Sequence, residues 1–278
     1  MRIQLKEFIK LFTSFSVVRD CRVLWGKLKN RSYGLSGNYY TWNEAVRNST
    51  GYDNEIILNK TKKALLKVKN GEAVYERDSV LFDNVQYAWP LLSCLMWVAA
   101  QAKGNLNVLD FGGSLGSTYF QNRVFLRHLS DVRWNIIEQP KYVETGKKWF
   151  EDDHLKFYLR VEDCLAETQP NVIILSGVLQ YLERPYDVLS KFLNLSDCGY
   201  IIIDRTSFWS GAFDKLGVQS IDRCIFDASY PMWVFSLEKF LKALDSATII
   251  ESFPCFEDRL FGLQWKGFIV QLSKNEKI

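Results

Sequence analysis

From residue 105 onward the chain alternates short, nearly unbroken apolar runs with amphipathic stretches. NVLDFG (107–112), RWNIIE (133–138), LKFYL (155–159), NVIILSG (171–177) and GYIIID (199–204) each predict a buried strand. Residues 116–129, 141–150 and 186–195 between them carry helical spacing. A helix at 237–244 and two strands with no helix between them, TIIESF (248–253) and GFIVQL (267–272), close the pattern. Continuous apolar strands separated by helices predict a parallel sheet covered on both faces. The final pair predicts an antiparallel last strand.

The front of the chain reads differently. Leu5, Phe8, Ile9, Phe12 and Phe15 recur at helical steps among Lys6, Lys10, Arg19 and Arg22, which predicts a basic amphipathic helix. It either packs on its own domain or lies on a partner or an anionic membrane surface. A short helix is expected at 42–46, capped by Thr41 or Asn43, and a longer one at 56–68, ended by Asn70-Gly71. YAWPLLSCLMWVAA (87–100) is too short to span a bilayer and suits a helix buried against a sheet, with Pro90 in its first turn. Glu76-Arg77-Asp78 lies between apolar flanks and either ties the front to the sheet or folds over a ligand mouth. The expected division is a basic helical extension at 1–80 and the alternating domain at 81–278, with 205–235 as a covering insertion.

Composition narrows the chemistry. At 278 residues, 47% of them hydrophobic, the chain can bury a core without disulfide or metal staples. The net charge of +3 conceals an imbalance: residues 1–80 carry 15 Lys and Arg against 8 Asp and Glu, and residues 81–278 carry 20 against 24. The lysines at 60–69 lack the interleaved aromatics of a nucleic-acid patch, so no nucleic-acid partner is expected. Six cysteines without a C-x-x-C pair read as reduced thiols of a cytoplasmic protein, peripheral at the inner membrane if the front helix docks there. The two histidines, His128 and His154, have no metal-ligand spacing, which argues against a zinc site and against a Ser-His-Asp hydrolase.

The turn after the first strand of the alternating half reads DFGGSLGS (110–117). Glycines let the backbone approach a ligand closely, and the helix behind them offers free N–H groups. Asp110 ends that strand and Glu138 ends the next, where doubly wound folds place the carboxylate that takes ribose hydroxyls. Asp163, after the third strand, is placed to meet an adenine amino group. Asp110, Gly112, Gly113, Ser114, Gly116 and Ser117, with Glu138, Gln139, Asp163, Ser176 and Gly177, form a candidate cradle for S-adenosyl-L-methionine. Neither a P-loop nor G-x-G-x-x-G is present. Their absence counts against NAD(P) more than against a sulfonium cofactor, which has no pyrophosphate. The plainer reading is a tight strand–helix turn with Glu138 on a solvated edge.

SYGLSGNYYTWNEA, SxGYD (49–53), VYERDSVLFD, VLDFGGSLGSTYFQNR, WNIIEQP, LSGVLQYLERPYDVL and DASYPMWVF together resemble a bacterial family of S-adenosylmethionine-dependent methyltransferases found among capsule and O-antigen synthesis functions. The resemblance implies an α/β, Rossmann-like class I methyltransferase fold and a small-molecule or glycan acceptor. Two positions depart from general class I patterns. Ser114 stands where a middle glycine is usual, and Gln180 where many small-molecule methyltransferases carry His. Gln can orient a hydroxyl but cannot take its proton at neutral pH.

Methyl transfer is an in-line displacement in which positioning supplies most of the acceleration. A base is needed only for a hydroxyl or a protonated amine. Asp204, Asp227 and Tyr230 are the base candidates, and Gln180, Tyr181, Arg205, Trp209 and Trp233 the acceptor-binding ones. Residues 205–235 are too long for an ordinary connection and read as a lid whose aromatics stack on the acceptor or cap the sheet edge. The expected function is methyl transfer to a small polar or glycan-linked acceptor in surface-polysaccharide synthesis. The alternatives are a non-catalytic nucleoside- or protein-binding relative and an NAD(P)-linked oxidoreductase. The sequence is silent on the methylated atom and the oligomeric state.

Overall fold

A computed structural model describes residues 34–51, 55–77, 79–195, 197–221, 228–255, 257 and 260–273. The helix expected in 1–30 and the base candidate Asp227 lie outside the described residues. The described chain opens with β1 (Gly34–Ser36), α1 (Trp42–Arg47), α2 (Glu55–Lys69) and the hairpin β2 (Tyr75–Arg77)–β3 (Val80–Phe82). The Thr41 hydroxyl accepts the Glu44 N–H at 3.2 Å and caps α1. Then come α3 (Trp89–Gln101), β4 (Asn105–Phe111), α4 (Ser117–Leu126), β5 (Asp131–Ile137), α5 (Pro140–Trp149), β6 (Leu155–Tyr158) and α6 (Val161–Glu167). The chain continues through β7 (Val172–Ser176), α7 (Pro185–Leu193), β8 (Tyr200–Trp209), β9 (Lys215–Ser220), β10 (Ser229–Ser236), α8 (Leu237–Ala243), β11 (Thr248–Pro254) and β12 (Gln264–Gln271).

Across the main sheet the order is β6-β5-β4-β7-β8-β12-β11. The pairs from β6 to β8 are parallel, and β12 is antiparallel to both β8 and β11. Counted from β4, this is 3-2-1-4-5-7-6 with one reversed strand, the Rossmann-like class I methyltransferase arrangement. Both faces are covered, as the apolar strands require. Leu65 of α2, Leu95 and Val98 of α3, Phe120 of α4 and Val143 of α5 pack on one side. Cys164 of α6, Leu189 and Phe192 of α7 and Phe240 of α8 pack on the other. Each fully buried Leu or Phe contributes about 1.5–3 kcal/mol. Leu58, Leu65 and Val68 place α2 in the same core as the strands, although the charge balance sets residues 1–80 apart.

Two features were not expected from the pattern. Strand β8 runs five residues past Asp204, because Thr206 and Ser207 are fully buried with their hydroxyls satisfied by Asp204 O at 3.2 Å and Trp233 O at 2.9 Å. The segment beyond it is also no open lid. Strands β9 and β10 pair antiparallel, and β1 closes the outer edge of β9. β10 meets β8 in parallel at Phe208 and Trp209, on the edge that β7 leaves where Ser176 pairs with Asp204. β12 holds the opposite edge from Tyr200 to Phe208. The hairpin therefore overhangs the carboxyl end of β7.

Candidate functional site

Strand β4 lies between β5, the next parallel strand in the chain, and β7, the fourth. The strand order reverses there, and in open α/β sheets the crevice at such a point receives ligands. The turn leaving β4 takes positive φ at Gly112 (75°), Ser114 (55°) and Gly116 (98°). The Gly112 N–H donates to Ile137 O at 2.9 Å, fastening the turn to the end of β5. A Cβ on Gly112 would stand 2.6 Å from Val178, and one on Gly113 2.5 Å from the Asp110 carboxyl. Glycine is needed at both positions because the turn lies directly on neighbouring side chains.

Asp110 is only 2% exposed, and its Oδ2 accepts the Trp134 indole N–H at 2.9 Å. Burial pushes its carboxyl up to about 7, with the indole hydrogen bond acting in the opposite direction. Beneath Gly113, it orders the turn from below. Glu138 approaches the same turn from β5. Its Oε1 accepts the Ser114 N–H at 3.2 Å and its Oε2 the Gln139 N–H at 2.8 Å. Burial raises this carboxyl as well, opposed by those two bonds. A carboxylate has about four acceptor positions, so two backbone bonds leave capacity for a diol. Ser117, at the start of α4, donates its hydroxyl to Glu76 Oε2 at 2.7 Å, and Glu76 Oε1 accepts the Ser79 N–H at 2.6 Å. Glu76 is buried at 2% exposure, so the front hairpin is tied to the turn's helix by a carboxylate. Asp163 is exposed in the first turn of α6, beyond β6.

A second group gathers at the carboxyl ends of β7 and β8. Asp204 is 4% exposed; its Oδ2 accepts the Ser176 hydroxyl at 3.1 Å and its Oδ1 the Cys255 thiol at 3.3 Å. Burial first, and then the nearby Glu257 charge, raise its carboxyl above the usual range. The Gly177 N–H donates to Asp204 O at 2.9 Å. Arg205 holds φ at 51° and pairs through Nε with Glu257 Oε1 at 2.6 Å. Gln180, 1% exposed on the helical turn after β7, donates through Nε2 to Arg205 O at 2.9 Å. The Tyr181 hydroxyl donates to Gln219 Oε1 at 2.8 Å, and its ring meets Tyr230 edge-on at 5.1 Å. The Trp233 indole donates to Leu182 O at 3.1 Å and stacks on Trp42.

Asp204, Arg205, Gln180, Tyr181, Tyr230 and Trp233 thus come together where the hairpin overhangs β7. Trp209 does not join them. It lies five residues along β8, about 16 Å at strand rise, with its indole on Phe213 O at 2.8 Å and the Lys215 ammonium 3.4 Å from its ring centre. Trp134, Glu76, Cys255 and Glu257 were not singled out individually from the sequence as site residues. Among the described residues no cluster of His, Cys, Asp or Glu could hold a metal ion, and no helix is long and apolar enough to cross a membrane.

No protein-family model and no curated protein matches the chain. It is similar to several solved structures. One is the N-terminal domain of EvdMO1 crystallised in the presence of S-adenosylhomocysteine and D-fucose, at 12% identity over 80% of this chain and 98% of that one, with a TM-score of 0.48. Another is the 1,6-didemethyltoxoflavin-N1-methyltransferase of Burkholderia thailandensis, at 12% identity over 86% and 94%, with a TM-score of 0.43. A third is the magnesium protoporphyrin IX methyltransferase of Synechocystis PCC 6803 with bound S-adenosylmethionine, at 15% identity over 81% and 99%, with a TM-score of 0.42. At this distance the likeness is one of general chain path.

Proposed function

We propose that the chain is an S-adenosylmethionine-dependent methyltransferase acting on a small polar or glycan-linked acceptor in surface-polysaccharide synthesis. One observation carries the reading: the glycine turn lies at the strand-order reversal, with the carboxylate of the adjacent strand, Glu138, reaching back to its Ser114 N–H. The polysaccharide setting rests on the resemblance of the sequence blocks. Glu138 has acceptor capacity for ribose hydroxyls, and Asp163, exposed in the first turn of α6, is the candidate for an adenine amino group. The turn and the first N–H groups of α4 suit the cofactor's amino-acid end. When bound, the cofactor supplies an electrophilic methyl group.

The chain's own residues then have positioning to do. Tyr181, Tyr230 and Trp233 wall the region under the overhanging hairpin, and Gln180 orients the acceptor. Burial raises the Asp204 carboxyl, so its carboxylate is a stronger base than an ordinary aspartate and is the candidate to take a proton from an acceptor group. Within the 205–235 insertion, strands β9 and β10 cover the acceptor as an extension of the sheet, and the protein works in the cytoplasm.

A second reading has a specific observation behind it. Val178 and Asp110 already account for the glycines at 112 and 113, as a turn with no ligand would require. Calorimetry with S-adenosylhomocysteine and with NADH separates the readings. Micromolar binding of the first and none of the second is expected. Binding of neither would leave a methyltransferase-like fold without the cofactor.

A further inference from the structure

Two buried acceptor oxygens at the carboxyl ends of β7 and β8 have no hydrogen-bond partner: Gln180 Oε1 and Glu257 Oε2. Buried polar atoms are nearly always paired, so an orphan beside a candidate crevice calls for a donor that the chain does not supply. Both oxygens are held by one residue. The Gln180 amide is fixed by its Nε2 bond to Arg205 O, and the Glu257 carboxylate by its bond from Arg205 Nε. Rotating the Gln180 amide would set its oxygen against the Arg205 carbonyl, so the orphan is not a matter of orientation. Arg205 itself sits at φ 51°, a conformation that costs a non-glycine residue energy and that clusters at binding sites. Asp204 adds a third carboxyl or amide group, buried and bonded to Ser176 and Cys255.

The chemistry offered is one-sided. The Arg205 Nε donor is committed to Glu257, and the two unsatisfied atoms are both acceptors. Asp204 and Glu257 bring further carboxyl oxygens, which are acceptors as well. A hydroxyl brings a single donor and turns lone pairs toward carboxyl oxygens. A primary amine, as the ammonium, brings three donors and no acceptor, which matches a place whose unmet atoms, Gln180 Oε1 and Glu257 Oε2, are both acceptors. Resting on the methyltransferase reading, we propose that the acceptor carries a primary amino group recognised by Glu257 Oε2 and Gln180 Oε1, with Glu257 an acceptor-binding residue.

The test compares matched amine and hydroxyl probes on the full chain: UDP-glucosamine against UDP-glucose, and ethanolamine against ethylene glycol. Calorimetry is run with and without saturating S-adenosylhomocysteine, on wild type, Glu257→Gln and Gln180→Leu. The expected result is tighter binding of each amine than of its hydroxyl partner, with a loss of about tenfold or more in amine affinity for Glu257→Gln. Unchanged S-adenosylhomocysteine affinity in the variants shows that the fold and the cofactor site are intact. Equal or better binding of the hydroxyl probes, or an amine preference that survives both substitutions, overturns the proposal while leaving the methyltransferase reading in place. Absence of S-adenosylhomocysteine binding in wild type removes that reading and this inference with it.

Discussion

Trp134 of β5 and Asp110 of β4 meet across two paired strands, the indole N–H donating to the carboxyl at 2.9 Å beneath the Gly113 backbone. A donor that cannot ionise holds a buried acid in place, and the glycine turn rests on that acid. The consequence can be measured as stability against pH.

Asp110 goes from 3.8 in an ordinary setting to about 7 in the folded chain, through burial. In that window the native state keeps a proton that the unfolded chain has lost, so stability falls as pH rises through it. One proton is worth at most about 1.4 kcal/mol per pH unit. Asp110→Asn removes this contribution. Urea midpoints at about pH 5 and about pH 7 should lie closer together in the variant than in wild type; equal separation would assign the slope to other groups.

Trp134→Phe keeps most of the buried ring and deletes the donor. It should cost about 1–3 kcal/mol by urea unfolding, the penalty for leaving a buried acceptor unmet. Since the indole bond pulls the Asp110 value down, its loss should move that titration to higher pH.

Gly113→Ala places a methyl group 2.5 Å from the Asp110 carboxyl and should destabilise by about 1–3 kcal/mol. Gly199→Ala is the matched control. There the new Cβ approaches nothing closer than Asn171 O at 3.5 Å, and the change should stay within about 0.5 kcal/mol. Two equal losses in thermal unfolding would show that contact with Asp110 is not what demands glycine.

Glu138→Ala frees the Ser114 N–H and removes the proposed ribose partner. S-adenosylhomocysteine affinity should fall by about 1–3 kcal/mol, the range for hydrogen bonds to a charged group. Unaltered calorimetric affinity would move the sugar elsewhere.

Strands that cross the core were legible because burial on both faces leaves continuous apolar runs, as in VLDF (108–111) and VIILS (172–176). The second half of β8 was not. Asp204-Arg205-Thr206-Ser207 reads as a strand end, and only the tertiary partners of Thr206 and Ser207 make it strand. Strands β9 and β10 were hidden in the same way, with Gly217 and Pro231 breaking the local pattern. Helix α6 is short and acidic, with only Val161 and Cys164 buried. In the site, Asp110, Glu138 and the glycines follow from their places at strand ends. Glu257 and Cys255 reach Asp204 and Arg205 from about fifty residues away, and no spacing rule marks them.

Strand β8 has divided loyalties. β7 and β10 share one of its edges, β12 runs along the other, and the tip leading to β9 carries Phe213, 79% exposed. A protease nick at that tip would make two polypeptides that are laced together rather than adjacent. The first would contribute β1 and β8, and the second β9, β10 and β12, so that neither could depart without unzipping the sheet. Cut at that point, the two pieces would stay joined through the pairs of β1 with β9 and of β8 with β10 and β12.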